Sequence, residues 1–262
     1  MLASGALAAC SGMGVSSRQL ERIGVQLYTL RNAMAVDAAA TLRAVAGAGY
    51  REVETAGTGN LTPVEFAGAL SDVGLVAPAA HVPLNMMRDD PDSLLALAET
   101  VGHKYLVLPW IPEEVRTDEG YGKLIELLNQ FGETCAREGL QLCYHNHDFE
   151  FATINGQVAF DRMLSGCDRS LVKFELDFYW MAHAGVDTTA YLTRDPGRFP
   201  LCHVKDRAED GSMVPVGSGV IDFAALFAAG SGMQHYFVEH DHPKDSLTSI
   251  LSSMVTLREL RF

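Results

Sequence analysis

Residues 121–151 read YGKLIELLNQFGETCAREGLQLCYHNHDFEF, and this stretch decides the fold class. Its first part sets Leu124, Leu127, Leu128 and Phe131 on one stripe of a helix, at spacings of three and four. Gly139 supplies the stop. An apolar run over residues 140–144 follows at once. It ends in a dense set of polar groups: His145, Asn146, His147, Asp148 and Glu150. A helix, a glycine, a buried strand and then ionisable side chains is the rhythm of a parallel β/α unit that delivers chemistry at a strand's C-terminal end.

The same rhythm recurs on both sides. Toward the N-terminus, strands are expected over residues 24–30, 51–55, 76–82 and 105–110. Helices are expected over 37–48, 62–73 and 93–101. Thr62 followed by Pro63 is a good cap and first turn for the second of these. The 105–110 run is continuously apolar, as in a strand buried on both faces. Toward the C-terminus, strands are expected over 172–176, 200–204 and 236–239. Helices are expected over 160–164, 222–229 and 245–260, with one more starting near Asp187. Eight alternations predict an α/β protein, a single-domain (β/α)8 TIM barrel over residues 21–262, because eight units close the sheet. A doubly wound open sheet fits the same alternation, but no GxGxxG or P-loop follows the first strand.

The formal charge of −13 disfavours a nucleic-acid partner. No run of 18 apolar residues in the body of the chain predicts a membrane-spanning helix. The five cysteines form no CxxC pair, which argues against a zinc ribbon or a thioredoxin-like site. Cys143 and Cys202 lie in strand-like runs and read as small buried hydrophobes. Residues 1–20 stand outside the fold argument. There, Leu7-Ala8-Ala9-Cys10 resembles a bacterial lipobox, which implies a lipid anchor at Cys10 and a periplasmic protein. No Arg or Lys precedes the apolar run, so a small-residue tail on a cytoplasmic protein stays open.

In a barrel, side chains at the C-terminal strand ends build the active site. Those ends carry Glu52 and Glu54, His81, the 144–151 run, Glu175 and Asp177, His203-Val204-Lys205-Asp206, and Glu239-His240-Asp241-His242. Four consecutive strands ending in His, Asp or Glu would be costly to bury without a cation. A divalent metal removes that cost, and mixed imidazole and carboxylate ligands suit Mn, Co, Zn, Fe or Mg.

These residues also carry a resemblance. Gly24-Val25-Gln26-Leu27-Tyr28, the 145–151 string HNHDFEF, Glu175-Leu176-Asp177, His203-Val204-Lys205-Asp206 and Val238-Glu239-His240-Asp241 are similar to the sugar phosphate isomerase/epimerase group of the xylose-isomerase-like TIM barrel superfamily. The resemblance implies one metal held by side chains from strands five to eight, with Asp177, His203 and Glu239 as three of the ligands. For the fourth, Glu150 and His145 both stay open. It implies a small sugar as substrate, with proton abstraction beside a carbonyl through an enediolate. Glu239, His147 and Lys205 are the expected catalytic groups, with Glu239 both ligand and base. Lys205 either neutralises developing charge or pairs with Asp206 or Asp177. Glu54 is expected to support a ligand. His81 binds a substrate hydroxyl or is held by internal hydrogen bonds, and Trp110 and Trp180 wall a sugar face or pack in the core. The runner-up activities are a lyase or hydratase on 3-keto-glycosides and a sugar-binding lipoprotein without catalysis. Residues 216–219 (VGSG) offer backbone amides that could receive a phosphate.

Overall fold

The computed structural model describes residues 18–262, so Cys10 and the lipobox-like segment lie outside the described residues. Among these residues eight parallel strands close into a barrel: β1 (Gly24–Gln26), β2 (Glu52–Thr55), β3 (Val76–His81), β4 (Tyr105–Leu108), β5 (Gln141–His145), β6 (Val172–Asp177), β7 (Leu201–Val204) and β8 (His235–Val238). Each pairs with its neighbours in chain order. β8 returns to β1 through Gly24 opposite Phe237 and Val25 opposite Val238. Gly24 is required at this seam, because a Cβ there would collide with the Phe237 ring. The TIM barrel expected from the alternation is the observed fold.

Helices cover the outside: α1 (Arg31–Ala48), α2 (Pro63–Asp72), α3 (Leu84–Asp89), α4 (Pro91–Val101), α5 (Asp118–Arg137), α6 (Ala159–Gly166), α7 (Phe178–His183), α8 (Thr188–Arg194), α9 (Phe223–Ala229) and α10 (Ser246–Glu259). No helix among the described residues is long and apolar enough to cross a membrane. The outward residues of the strands, such as Leu106, Leu142, Phe174, Leu176, Cys202 and Val204, join the helices in one continuous core. The alternate residues point into the barrel. Ala79, Val107, Cys143, Leu201 and Phe237 form a separate apolar plug there. Each plug residue lies two positions before a polar strand-end residue or, for Val107, before Pro109. The plug therefore floors the site.

Several element boundaries differ from the sequence reading. β1 stops at Gln26, because the Gln26 side-chain oxygen accepts from Tyr28 N and starts a 3-10 turn over Leu27–Leu30. α1 begins at Arg31 and breaks at Asp37, whose carboxylate then caps the helix that the sequence placed from residue 37. α3 and α7 are single short helices that apolar periodicity did not register. Thr62 and Glu65 form a reciprocal capping box at α2, as the Thr-Pro pair indicated.

Candidate metal centre

The site is built by period-two alternation at the ends of β5 to β8. On β6, Glu175 and Asp177 face the barrel axis while Leu176 faces the helices. On β7, His203 and then Lys205 face inward. Glu239 follows β8. His145, Asp177, His203 and Glu239 are all buried, and each places one candidate ligand atom within 4.8 Å of the others. His203 Nδ1 lies 2.8 Å from Glu239 Oε2 and 3.5 Å from Asp177 Oδ2, and His145 Nε2 lies 3.3 Å from Asp177 Oδ2. Asp177 Oδ1 accepts from Trp180 N and caps α7, and Asn146 Oδ1 accepts from Asp177 N. The aspartate is thereby fixed with its other oxygen aimed at the cluster.

Lys205 sits against the same carboxylates. Its Nζ is 2.7 Å from Glu239 Oε2, 3.0 Å from Asp177 Oδ2 and 2.9 Å from Asp241 Oδ1. Of the two expected pairings, the Asp177 one is present. Asp206 points the other way: its carboxylate accepts from the amides of Gly217 and Gly219 at 2.9 Å each. A Cβ on Gly219 would strike that carboxylate. Two of the amides considered for a phosphate are thus already taken within the chain.

One layer deeper lies a second group, Glu54, His81, Glu175 and His203. His203 Nε2 is 2.7 Å from Glu54 Oε2 and 3.2 Å from Glu175 Oε2, and His81 Nε2 is 3.2 Å and 3.4 Å from the same two oxygens. Gln26 Nε2 donates to Glu54 Oε2 at 2.7 Å. Glu54 therefore holds His203 from behind, and Gln26 holds Glu54. The second oxygens of Glu54 and Glu175 are buried without a hydrogen-bond partner.

Glu150 belongs to neither group. One of its oxygens accepts from the Tyr144 hydroxyl and the other from His147 N at 2.8 Å, because a 3-10 turn over Phe149–Phe151 folds the carboxylate back under β5. Of the two residues left open for the fourth position, His145 lies at the cluster and Glu150 does not. Burial raises the Glu150 carboxyl to about 7, against the two hydrogen bonds it accepts. His147 lines the cavity, stacks on Phe149 and leaves its Nδ1 buried without a partner. Trp110 also lines the cavity, half exposed, whereas Trp180 packs behind His147.

The charges follow from this packing. Burial opposes ionisation of Asp177 and Glu239, yet the Lys205 ammonium holds both well below the usual carboxylate range, helped by His203. Burial likewise opposes a charge on His81, but Glu54 and Glu175 raise it to about 9. Burial and the neighbouring His203 lower His145 to about 4.

These residues fit a cation. His145 Nδ1 lies 3.1 Å from the Pro109 carbonyl, an atom that can only accept, so Nδ1 carries the proton. Nε2 then aims a lone pair at the Asp177 carboxylate. His203 Nδ1 is close to Glu239 but makes no hydrogen bond. Imidazoles and carboxylates facing one another in a buried site, with one imidazole held from behind by a carbonyl, are the kind of donor set that holds a divalent ion. Sequence reasoning missed Asp241 on Lys205 and Asn146 behind Asp177. An N-cap reading of Asp177, three residues before Trp180, was available from the sequence alone.

Comparison with known proteins agrees with this architecture. Residues 42–230 match the model of the xylose isomerase-like TIM barrel family. A sugar phosphate isomerase/epimerase from Parabacteroides distasonis superposes with a TM-score of 0.81 at 26% identity, covering 91% of this chain and 98% of that one. The IOLI protein, whose crystal structure holds a zinc atom, has the same fold with a TM-score of 0.70 at 16% identity, over 90% of this chain and 96% of that one. An inosose dehydratase from Geobacillus thermodenitrificans is 28% identical over 144 residues, 47% of this chain and 48% of the dehydratase. The match thus spans about half the length of that curated relative. The family match runs from within α1 to just past α9 and takes in β2 to β7 with Asp177 and His203, so the chain belongs to the xylose isomerase-like TIM barrel family.

Proposed function

We propose that the chain is a divalent-metal-dependent isomerase or epimerase of a small sugar, with His145, Asp177, His203 and Glu239 as the metal ligands. The observation that carries this reading is the convergence of those four buried side chains, two of them imidazoles with nitrogens turned toward carboxylates. When bound, a divalent ion would draw negative charge onto a carbonyl and an adjacent hydroxyl of the sugar. The chain's own groups do the rest. Glu239, held as an anion at the cavity wall, removes the proton beside the carbonyl. Lys205, whose ammonium faces the same side of the cluster, stabilises the developing enediolate charge. His147 lines the cavity beside the cluster with its Nδ1 unpartnered, placed to relay a proton back to the substrate. Return to the opposite face of the same carbon gives an epimer, and return to the neighbouring carbon gives an isomer.

A second reading has one observation behind it, the partial match to an inosose dehydratase. The same proton abstraction followed by loss of a β-hydroxyl would make the chain a lyase. Metal analysis of purified protein, then deuterium exchange from solvent into a panel of ketoses and 3-keto-glycosides, tests both. A product lighter by one water selects the lyase. Absence of metal from the wild type, or equal metal content in Asp177→Ala and His203→Ala, sinks the central reading.

A further inference from the structure

The cavity above the cluster is too large and too apolar for a bare sugar. It measures about 780 Å³, within the usual 300–1,000 Å³ of pockets that take drug-sized ligands. One end holds His145, Lys205 and Glu239. The other is walled by Val82, Met86, Leu94, Leu97 and Trp110. Met86 comes from α3, a short helix inserted between β3 and α4 that the basic β/α unit does not need. Leu94 and Leu97 are three apart on α4 and so share one face. Trp110 follows β4 and leaves 47% of its surface exposed, and Tyr28, which also lines the cavity, is 39% exposed. Uncovered aromatic surface at the mouth of a pocket marks a place where a ligand's apolar part belongs.

Charge narrows the ligand further. Lys205 is the sole Lys or Arg among the described lining residues, and its ammonium already faces three carboxylates. Glu239 and Asp241 add negative charge to the same wall. Gly217 and Gly219 have given their amides to Asp206. A phosphoryl group would meet repulsion and no free donor cluster.

We propose that the outer half of this cavity is an aglycone subsite, and that the natural ligand is an unphosphorylated glycoside that carries its carbonyl on a ring carbon other than the anomeric one and an apolar aglycone the size of an aromatic ring. The inference rests on the sugar-site reading given above for the inner half. The ring lies between Trp110 and the Leu94–Leu97 face, and the sugar reaches the cluster past His81. Aromatic stacking and burial against aliphatic side chains hold the ring without any charged contact.

Calorimetric binding of phenyl and methyl β-glycosides of glucose, galactose and xylose to the full chain tests this. For at least one sugar, the phenyl glycoside should bind at least about tenfold more tightly than the methyl one, which corresponds to ~1.4 kcal/mol. Trp110→Ala and Leu97→Asn should each cut that ratio to about twofold while leaving the methyl glycoside unchanged, a change of ~1 kcal/mol. Trp110 is half exposed, so its variant keeps the fold even where Leu97→Asn does not. Equal affinity for phenyl and methyl glycosides, no binding of either, or a phenyl preference that survives both substitutions overturns the subsite. The measurement is independent of turnover: a phenyl preference in a protein that exchanges no deuterium upholds the subsite while the isomerase reading fails.

Discussion

Replacing Lys205 by Met removes the cation that three carboxylates share and keeps an unbranched stem of similar length in the space beside Trp180. The side chain is 2% exposed, so water does not take over its role. Removing one partner of a buried ion pair costs about 3–5 kcal/mol, because the other charge is left uncompensated. Here two carboxylates, Asp177 and Glu239, stay buried, with His203 as their remaining counter-charge. We therefore expect metal-free Lys205→Met to lose about 4 kcal/mol at pH 7, a fall in melting temperature of about 10 °C for a chain of this size. The sign with pH follows from the depressed carboxylates. Their stabilisation is present above their ordinary pKa near 4 and is lost as pH falls through the lower folded values. The difference between wild type and variant should thus be full at pH 7 and shrink below about pH 4. Urea unfolding in EDTA at the two pH values measures it. Zinc or manganese at a hundredfold over its dissociation constant adds about 2.7 kcal/mol to a protein with one site. It should restore more to the variant than to the wild type, because the ion and the ammonium seek the same two oxygens. A loss under about 1 kcal/mol at pH 7, or an equal loss at both pH values, would refute the reasoning.

Three further outcomes are expected. His145→Ala should fall well below stoichiometric metal by atomic emission, whereas Glu150→Ala should retain it, since Glu150 is tied to Tyr144 and His147; metal lost from Glu150→Ala alone would restore it as the fourth ligand. Asp206→Ala should destabilise the protein by about 3 kcal/mol in urea titration, the order expected when several amides lose one charged acceptor; an unchanged midpoint would mean the loop re-forms its bonds elsewhere. In EDTA, His81 contributes stability that is complete below about pH 6.5 and is lost as pH rises through its folded value of about 9. His81→Asn should therefore flatten the stability profile across that range, and an unflattened profile would assign the protonation to other groups.

The eight-fold alternation was legible because apolar period is a property of the chain itself, and the last four strand ends contained Asp177, His203 and Glu239, which the family resemblance singled out. What escaped the reading depended on side chains meeting across the fold. Glu150 was open as a ligand by type and position, but the hydroxyl of Tyr144, six residues earlier on β5, donates to it. Lys205 and Asp206 are neighbours in sequence and were weighed as a pair. Extended backbone sends them to opposite faces, one to the cluster and one to the 217–219 amides. α7 went unseen because six residues hold too little periodicity, although Asp177 both caps it and faces the cluster. Asp241 follows the last strand, outside any alternation that could have fixed its direction.

His203 presents one ring nitrogen to each of the two layers. A proton, or a tilt of the ring, chosen for one layer is imposed on the other, so the layers cannot be tuned apart by mutation. Glu54 and Glu239 make no contact with each other, yet substitutions at the two should be non-additive in a double-mutant cycle, with the shortfall carried by the imidazole between them. A change to a deep carboxylate is therefore also a change to how the upper cluster holds its ion, although no atom of that cluster has been replaced.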